Sequence, residues 1–383
     1  LTRVRVQCGA ECSEEWGVAL RDVVLRPTTH GDPARRGIAC GRALLHAVYM
    51  LETVPHLAQL LDATFPGSAV QGMQALKGEA STRRYYRVQL AGAPRSCIVM
   101  RLPDEAADGP ARTQARSFLD VQRFLSEGGV PVPQVYAQDI PNGLLLLEDL
   151  GDDTFDARLR SVPRSDWDVP YASAIALLAR LHAMAQNAQP EASIALRRRF
   201  EASLLRWELD HFREWGLEAL HGPLAAADRA ELDAHFDALT ASITALPLGF
   251  VHRDYQSRNL MWAPDDRLCV IDFQDAFIGP APYDLVALLC DSYVDIDARL
   301  QDAMLLRYAE ERDFTAAQLT ELVHGFRLIA VQRKLKDAGR FVFIDRVRGN
   351  PSFLPYYPGS LSYVARALRP LPELAPLASC LRR

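Results

Sequence analysis

Residues 250–262 read FVHRDYQSRNLMW, and residues 263–273 continue as APDDRLCVIDF. Two short apolar runs, LMWA and LCVIDF, flank Pro264-Asp265-Asp266-Arg267. Proline fixes φ and aspartate side chains bond back to nearby backbone, so the four residues signal a turn, and the runs on either side are expected to pair as a hairpin. With 264–267 as the loop, Ala263 faces Leu268, and Asn259 faces Asp272 at the open end. Directly opposed residues carry Cβ atoms about 4.5–5.5 Å apart on one face. An amide oxygen and a carboxylate so placed suit a hard, oxygen-seeking cation such as Mg2+. Asp254 opens the loop that ends at Asn259 and can reach the same pocket. Register decides the matter, because a slip of one residue sends a side chain to the opposite face.

The rest of the chain bounds what such a site serves. Its 383 residues suffice for one large domain or two lobes with buried cores. A net charge of −5 leaves no basic surplus for a nucleic-acid backbone. No run of about 18 apolar residues is present, so no membrane span is expected. The seven cysteines are scattered, with no second pair at zinc-ligand spacing beside Cys8 and Cys12, and read as reduced thiols of a cytoplasmic protein. Residues 1–49, with the tract RPTTHGDPARRGIACGR, show no secretory signal and are expected to be a disordered or non-native extension before the amphipathic pattern that follows Met50. The P-loop, Rossmann, zincin and nucleophile-elbow signatures are all missing.

Hydrophobic periodicity gives the architecture. YYRVQL (85–90) and SCIVMR (96–101) read as strands joined by Ala-Gly-Ala-Pro, and PQVYAQ and LLLLE as two more. Between the pairs, TQARSFLDVQRFLSE reads as a helix with Phe118, Val121 and Leu125 on one face and Gly128-Gly129 at its end. Beyond residue 150 the segments are helical: YASAIALLARLHAMA (171–185), FEASLLRWELDHFREWG (200–216, ended by Gly216), AADRAELDAHFDALTASI, and about 302–337. The expected fold class is α+β, with a small β-rich lobe over 50–149 and a larger, mainly helical lobe over 150–383.

Singly, Asn259 and Asp272 would pass for turn-capping residues. With Asp254, in the order Asp-x4-Asn, hairpin, Asp, they have the layout of a phosphotransfer site: a loop carboxylate as base, and an Asn and an Asp on the metal. HRDYQSRN followed by VIDFQDAFIGPAPYDL resembles the paired motifs of the aminoglycoside phosphotransferase and choline kinase-like family, over most of residues 70–380. The resemblance implies a protein-kinase-like bilobal fold with ATP between the lobes. By position it implies Asp254 as catalytic base, Asn259 and Asp272 as Mg2+ ligands, and Asp284 as a brace for the catalytic loop. It further implies that LKGEASTRRYYRV, with Gly78, Ser81 and Thr82, covers the phosphates, and that LLLLEDLG holds adenine through the backbone around Glu148 and Leu150. ASTRRYYRV, LLLLEDLGD, HRDYQSRNLM, IDFQDA, YDLVALLCDSY and QRKLKDAG look most like the bacterial N-acetylmuramate/N-acetylglucosamine anomeric kinases of cell-wall recycling.

Several positions depart from that pattern. Arg101 stands where such enzymes carry a strand lysine; it keeps the charge needed at a phosphate but not the lysine geometry. The nearest acid for a lysine–glutamate clamp is Asp120, whose neighbours Arg116 and Arg123 suggest a solvated helix face. Gln256 occupies the position two after the base where protein kinases carry lysine, and Arg258 is the residue that can supply the charge. Arg253 replaces a glycine common in the family, with no evident role for its side chain. Only eleven residues separate Asp272 from Asp284, too few for a phosphorylatable activation segment, which points to a small-molecule acceptor. Candidate acceptor contacts in the helical lobe are Glu208, Asp210, Arg258, Asp291, Arg333 and Lys336, and His182 reads as a core residue. The expected activity is ATP-dependent phosphorylation of an amino sugar at its anomeric hydroxyl, with no nucleic acid, membrane or obligate protein partner. The alternatives are an aminoglycoside or amino-alcohol phosphotransferase, and a nucleotide-binding pseudokinase.

Overall fold

The structure is a computed structural model that describes residues 56–76, 83–103 and 109–381. Residues 1–49, and with them Gly78, Ser81 and Thr82, lie outside the described residues.

Runs of Val, Ile, Tyr and Leu build five strands: β1 (Val70–Ala75), β2 (Arg84–Leu90), β3 (Ser96–Arg101), β4 (Val135–Asp139) and β5 (Leu144–Glu148). They form one antiparallel sheet in the order β1-β2-β3-β5-β4. β1 has no counterpart in the sequence reading: VQGMQA carries two glutamines and a glycine, and a bulge between Val70 and Gly72 breaks its alternation. Helix α1 (Leu57–Thr64) lays Leu57 and Leu61 over Val88, Cys97, Leu144 and Leu146. Each such buried side chain contributes about 1.5–3 kcal/mol. After β5, the Arg87 guanidinium donates to Asp149 Oδ1 (3.0 Å) and to the Gly151 carbonyl (2.9 Å). It thereby ties down a turn in which Gly151 takes φ 83°, a conformation that only glycine adopts freely.

Helix α2 (Pro110–Glu127) buries Phe118, Val121 and Leu125 and stops where Gly129 turns to φ 75°. The chain divides into two compact units, Leu1–Leu119 with Pro133–Gly151 and Asp120–Val132 with Asp152–Arg383. The second half of α2 therefore belongs to the second unit.

That second unit is built from α3 (Asp168–Gln186), α4 (Ala202–His211), α5 (Ala226–Thr244), α6 (Tyr283–Leu289), α7 (Ala298–Glu311), α8 (Ala316–Arg348) and α9 (Tyr357–Leu368). Contrary to expectation, the chain does not stop at Gly216. Helix α4 runs on into a π turn, Phe212–Glu218, and ends at Gly222 with φ 93°. Gly216 is there for space: a Cβ would lie 2.4 Å from the Phe212 ring. The long α8 is capped by a Thr315–Gln318 box and closed by Gly349 at φ 66°. Its middle, Leu328–Leu335, is buried on every side, which explains why its pattern is not amphipathic. Two short antiparallel ladders complete the unit: β6 (Leu248–Val251) with β9 (Phe277–Pro280), and β7 (Leu260–Trp262) with β8 (Leu268–Val270).

Among the described residues no helix is long and apolar enough to cross a membrane. Cys97, Cys269 and Cys290 are buried, and burial pushes the thiols of Cys97 and Cys290 up to about 12.

Candidate active site

β6 ends at Val251, and the loop 252–259 carries the chain to β7. Asp284, fully buried in the first turn of α6, accepts the backbone N–H of His252 at 2.6 Å and of Arg253 at 3.0 Å. The His252 ring accepts the Asp254 N–H at Nδ1 (3.3 Å) and donates from Nε2 to the Ile271 carbonyl (3.0 Å), a pairing that selects its tautomer. Farther along, Asp291 accepts the amides of Ser257 (Oδ2, 2.9 Å) and Tyr293 (Oδ1, 2.9 Å). The buried Tyr255 hydroxyl donates to the Ala174 carbonyl at 2.8 Å. Three separate elements thus hold the loop rigid, as a positioned catalytic group requires.

Arg253 adopts φ 84°. For an L-residue this left-handed conformation costs about 1–2 kcal/mol, and here the Asp284 carboxylate sustains it. What is unusual about Arg253 therefore lies in the backbone: the turn calls for positive φ, which glycine adopts most freely.

The Asp254 carboxylate is 39% exposed, and the Arg333 carrying its partner guanidinium is 5% exposed. From α8, Arg333 donates Nη1 to the Arg253 carbonyl (2.8 Å) and Nη2 to Asp254 Oδ1 (3.1 Å). Burial raises the Asp254 pKa, but Arg333, Lys336, Arg253 and His252 together outweigh it and hold the carboxyl below the ordinary aspartate value. The group is ionised at neutral pH and open to solvent on one side.

The hairpin corrects the expected register. Trp262, not Ala263, opposes Leu268, and Leu260 opposes Val270, so the loop spans the five residues 263–267. Asp266 at φ 63° accounts for the extra residue: its N–H reaches back to the Ala263 carbonyl (2.9 Å), while the Ala263 N–H donates to Arg267 (2.9 Å). Asn259 consequently aligns with Ile271, whose N–H it accepts at 3.0 Å, and not with Asp272. Asp272 follows the ladder at φ 64°, where the left-handed turn swings the chain out of strand geometry. The exposed Asp272 carboxylate accepts Gln274 Nε2 on Oδ1 at 2.8 Å, which leaves Oδ2 open. Asn259 donates Nδ2 to the Asp254 carbonyl at 2.9 Å, which directs its own oxygen away from that bond. One amide oxygen and one carboxylate fit a Mg2+ ion that takes the rest of its shell from water and phosphate. Among the described residues no group of three His, Cys, Asp or Glu forms a denser metal site.

The other candidate residues divide. Arg333 joins Asp254. Glu208, buried on α4, accepts Gln332 Nε2 of α8 at 2.8 Å. Lys336 lies one turn beyond Arg333 and contacts Asp337 at 3.2 Å. Asp291 is committed to the loop amides, and burial raises its pKa despite those bonds. Arg258 stacks on the Tyr293 ring at 3.6 Å. Asp210 stands apart, in a network with Arg206, Arg213 and Asp233. Asp120 is no solvated acid: its Oδ1 accepts Ser193 Oγ (2.6 Å) and the Ile194 amide (2.7 Å). In the first unit, Arg101 ends β3 opposite Arg84 and Leu144, Glu148 accepts the Gln134 amide at 3.0 Å, and Leu150 is buried. The buried His182 bonds the Tyr308 hydroxyl at 2.7 Å. Sequence reasoning missed Lys334, 1% exposed and bonded to Asp337 at 2.9 Å. The only signal was the density of charge in QRKLKD.

Comparison with known proteins bears on this geometry. A model of the phosphotransferase enzyme family matches residues 72–322. The chain belongs to the phosphotransferase enzyme family. It is accordingly a phosphotransferase with an alcohol group as acceptor. It is 34% identical over 309 residues to an N-acetylmuramate/N-acetylglucosamine kinase of Pseudomonas aeruginosa, a match covering 79% of this chain and 86% of the relative. Proteins of the same name are 32% identical in Pseudomonas putida (80% of this chain, 86% of the relative) and 31% identical in Neisseria meningitidis serogroup B (79% and 87%). Among solved structures, choline kinase LicA from Streptococcus pneumoniae superposes with a TM-score of 0.54 at 14% identity, covering 84% of this chain and 99% of its own. The GDP complex of aminoglycoside 2'-phosphotransferase-IIIa gives 0.54 at 15% identity, covering 82% and 98%. At such identities the two show the kinase-like fold alone.

Proposed function

We propose that this phosphotransferase is an ATP-dependent sugar kinase that phosphorylates the anomeric hydroxyl of N-acetylmuramate or N-acetylglucosamine. The observation that carries the reading is the 31–34% identity, over 79–80% of this chain, to enzymes named for those two sugars. The geometry around Asp254 supports it. One carboxylate oxygen is bonded to Arg333, and the other is available to the acceptor hydroxyl. Asp254 accepts a hydrogen bond from that hydroxyl, aligns it with the γ-phosphorus of ATP, and takes its proton late in the transfer. An anomeric hydroxyl is more acidic than an ordinary alcohol, so a carboxylate of low basicity suffices.

Asn259 and Asp272 would hold Mg2+, which when bound neutralises charge on the β- and γ-phosphates. The brace from Asp284 and the clasp from Arg333 keep Asp254 in place, so the cost of orientation is met during folding. On the nucleotide side, the segment 50–149 supplies Arg101, the Gly78, Ser81 and Thr82 loop, and the backbone around Glu148 and Leu150. Residues 150–383 supply the base, the metal ligands and the acceptor pocket. Free small molecules are the only partners this reading requires, and the cytoplasm is where ATP would meet them. Arg253, Arg333 and Lys336 around Asp254 disfavour a cationic aminoglycoside or choline-type acceptor, which calls for an acidic pocket.

The test incubates purified protein with Mg-ATP and N-acetylmuramate, N-acetylglucosamine, glucose, kanamycin or choline, and reads the phosphorylated position by phosphorus NMR. Phosphate on C1 of an amino sugar is the expected result; turnover of a cationic acceptor alone rejects the proposal. Asp254→Ala should lose turnover by orders of magnitude while still binding Mg-ATP, and an active variant would end the assignment of Asp254 as base.

A further inference from the structure

Arg333, Lys336, Arg340 and Phe343 recur at helical spacing along one face of α8. At about 1.5 Å per residue, Lys336 and Arg340 lie roughly 4.5 and 10.5 Å beyond Arg333. The face thus starts at the group that clasps the base and runs outward within the length of a substituted hexose. Its charges are unequally matched. Arg333 is spent on Asp254 and the Arg253 carbonyl. Asp337 is the one carboxylate that Lys336 contacts (3.2 Å), and its other oxygen is already bonded by the buried Lys334 at 2.9 Å. Lys336 is 21% exposed and has three donors to place, so a single shared carboxylate leaves it under-used. Burial opposes its charge, but Asp337 and Glu208 more than compensate, and the ammonium persists well above neutral pH. Arg340 has no carboxylate partner among the described residues; its guanidinium lies 5.1 Å from the centre of the Phe343 ring.

Buried polar side chains stand behind this face. Among the described residues, the buried polar atoms without a hydrogen-bond partner include the Tyr283 hydroxyl, Gln332 Oε1 and His211 Nε2. Tyr283 and Gln332 belong to the surroundings of Arg333 and Lys336, and His211 lies by Phe343 and Arg340 farther along the face. Tyr283 lies against Arg333, with the guanidinium 4.9 Å from its ring centre. Gln332 bridges to Glu208, and His211 is one turn along α4 from Glu208. Burial and the neighbouring Arg340 push the His211 imidazole below its ordinary pKa, which keeps it neutral. These three groups are sealed from solvent, so they back the face and do not line it. The helix cannot slide away from them: a Cβ at Gly339 would lie 2.7 Å from the Phe212 backbone, so α8 and the π turn are in direct backbone contact.

We propose that Lys336 is a specificity-determining residue that selects an acceptor carrying a carboxylate, as N-acetylmuramate does, over a neutral amino sugar. The inference rests on the amino-sugar reading above and adds to it which chain atom meets the acid. The ammonium of Lys336 pairs with the acceptor carboxylate, and Arg340 adds positive potential behind it.

Steady-state kinetics on the full chain test it, with N-acetylmuramate and N-acetylglucosamine compared in wild type, Lys336→Met and Lys336→Arg. For Lys336→Met, the ratio of kcat/KM for the acidic sugar to that for the neutral one should fall at least tenfold, mainly through KM. Lys336→Arg, which keeps the charge, should recover most of that ratio. An unchanged ratio in Lys336→Met overturns the proposal, as does an equal loss on both sugars, which would mean that Lys336 acts through Asp254 instead. Wild-type protein that turns over neither sugar overturns the amino-sugar reading and this proposal with it; two good substrates with an insensitive ratio overturn this proposal alone.

Discussion

Replacing Asp284 by alanine should loosen the catalytic loop before it unfolds anything else. The carboxylate is fully buried and accepts two backbone amides, at 2.6 and 3.0 Å, from His252 and Arg253. A buried donor left without its acceptor costs about 1–3 kcal/mol. His252 is fully buried and bears the whole penalty, whereas half-buried Arg253 recovers part of it from water. The sum is about 2–4 kcal/mol, and at 1.4 kcal/mol per decade this is a rise of about 30- to 700-fold in the local opening equilibrium. Arg253 would at the same time be released from its left-handed conformation, and Asp254 would follow it. Hydrogen exchange of the amides at 252–254 reads the first effect; kcat, expected to drop by about two orders of magnitude, reads the displacement of the base. Asp284→Asn preserves shape and one acceptor, and should fall between alanine and wild type on both readouts. Unchanged exchange at 252–254 in Asp284→Ala, or kcat within twofold of wild type, would refute the idea that this carboxylate holds the loop.

Arg253→Gly should fold and stay active, with stability within about 1 kcal/mol of wild type by thermal denaturation, because glycine accepts φ 84° without strain; Arg253→Val should be far less active, since a β-branched residue resists that conformation. Arg333→Met removes the largest of the charges that hold the Asp254 carboxyl below its ordinary pKa. The base works only when deprotonated, so the acid limb of the kcat/KM–pH profile should move to higher pH; a limb that stays in place contradicts the role given to Arg333. Burial would raise the Asp337 pKa, but Lys334, Lys336 and Arg333 hold it far below the ordinary carboxylate range. Its stabilising contribution is therefore complete above the unfolded-state value of about 4 and is lost as pH falls below it. Asp337→Asn, which leaves the buried Lys334 unpaired, should cost about 3–5 kcal/mol, measurable by denaturant titration at pH 7.

How much of this was legible beforehand follows from how local each cause is. Asp254, Asn259, Asp272 and Asp284 could be grouped as candidates from the sequence because their spacing is set by one loop, one hairpin and one helix start. The register of that hairpin was misjudged by one residue, because the left-handed Asp266 has no signature distinct from any other Asp in a turn. Gly216 misled in a similar way. A glycine after an amphipathic run usually ends a helix, and only the Phe212 ring packed against it shows that this one makes room instead. Asp120 read as a surface acid because the hydroxyl and the amide it accepts are more than seventy residues away in the chain. The pairing of Lys334 with Asp337 and of Glu208 with Gln332 depends on α8 being buried on all sides, which charge-rich sequence conceals. Strand β1 escaped because two of its six residues are glutamine and a third is glycine.

The π turn Phe212–Glu218 has a further consequence, for lengths and not for side-chain chemistry. Such a turn is an α-helix carrying one residue too many. Deleting a single residue there, the exposed Glu214 for instance, would restore ordinary helix pitch and rotate everything after it by about 100° relative to α4. Trp215 would then leave the Phe343 ring, from which it now stands 5.2 Å edge-on, and the backbone that abuts Gly339 would be free to shift. The packing of the π turn against α8 is therefore adjustable by gain or loss of one codon, a coarser step than substitution.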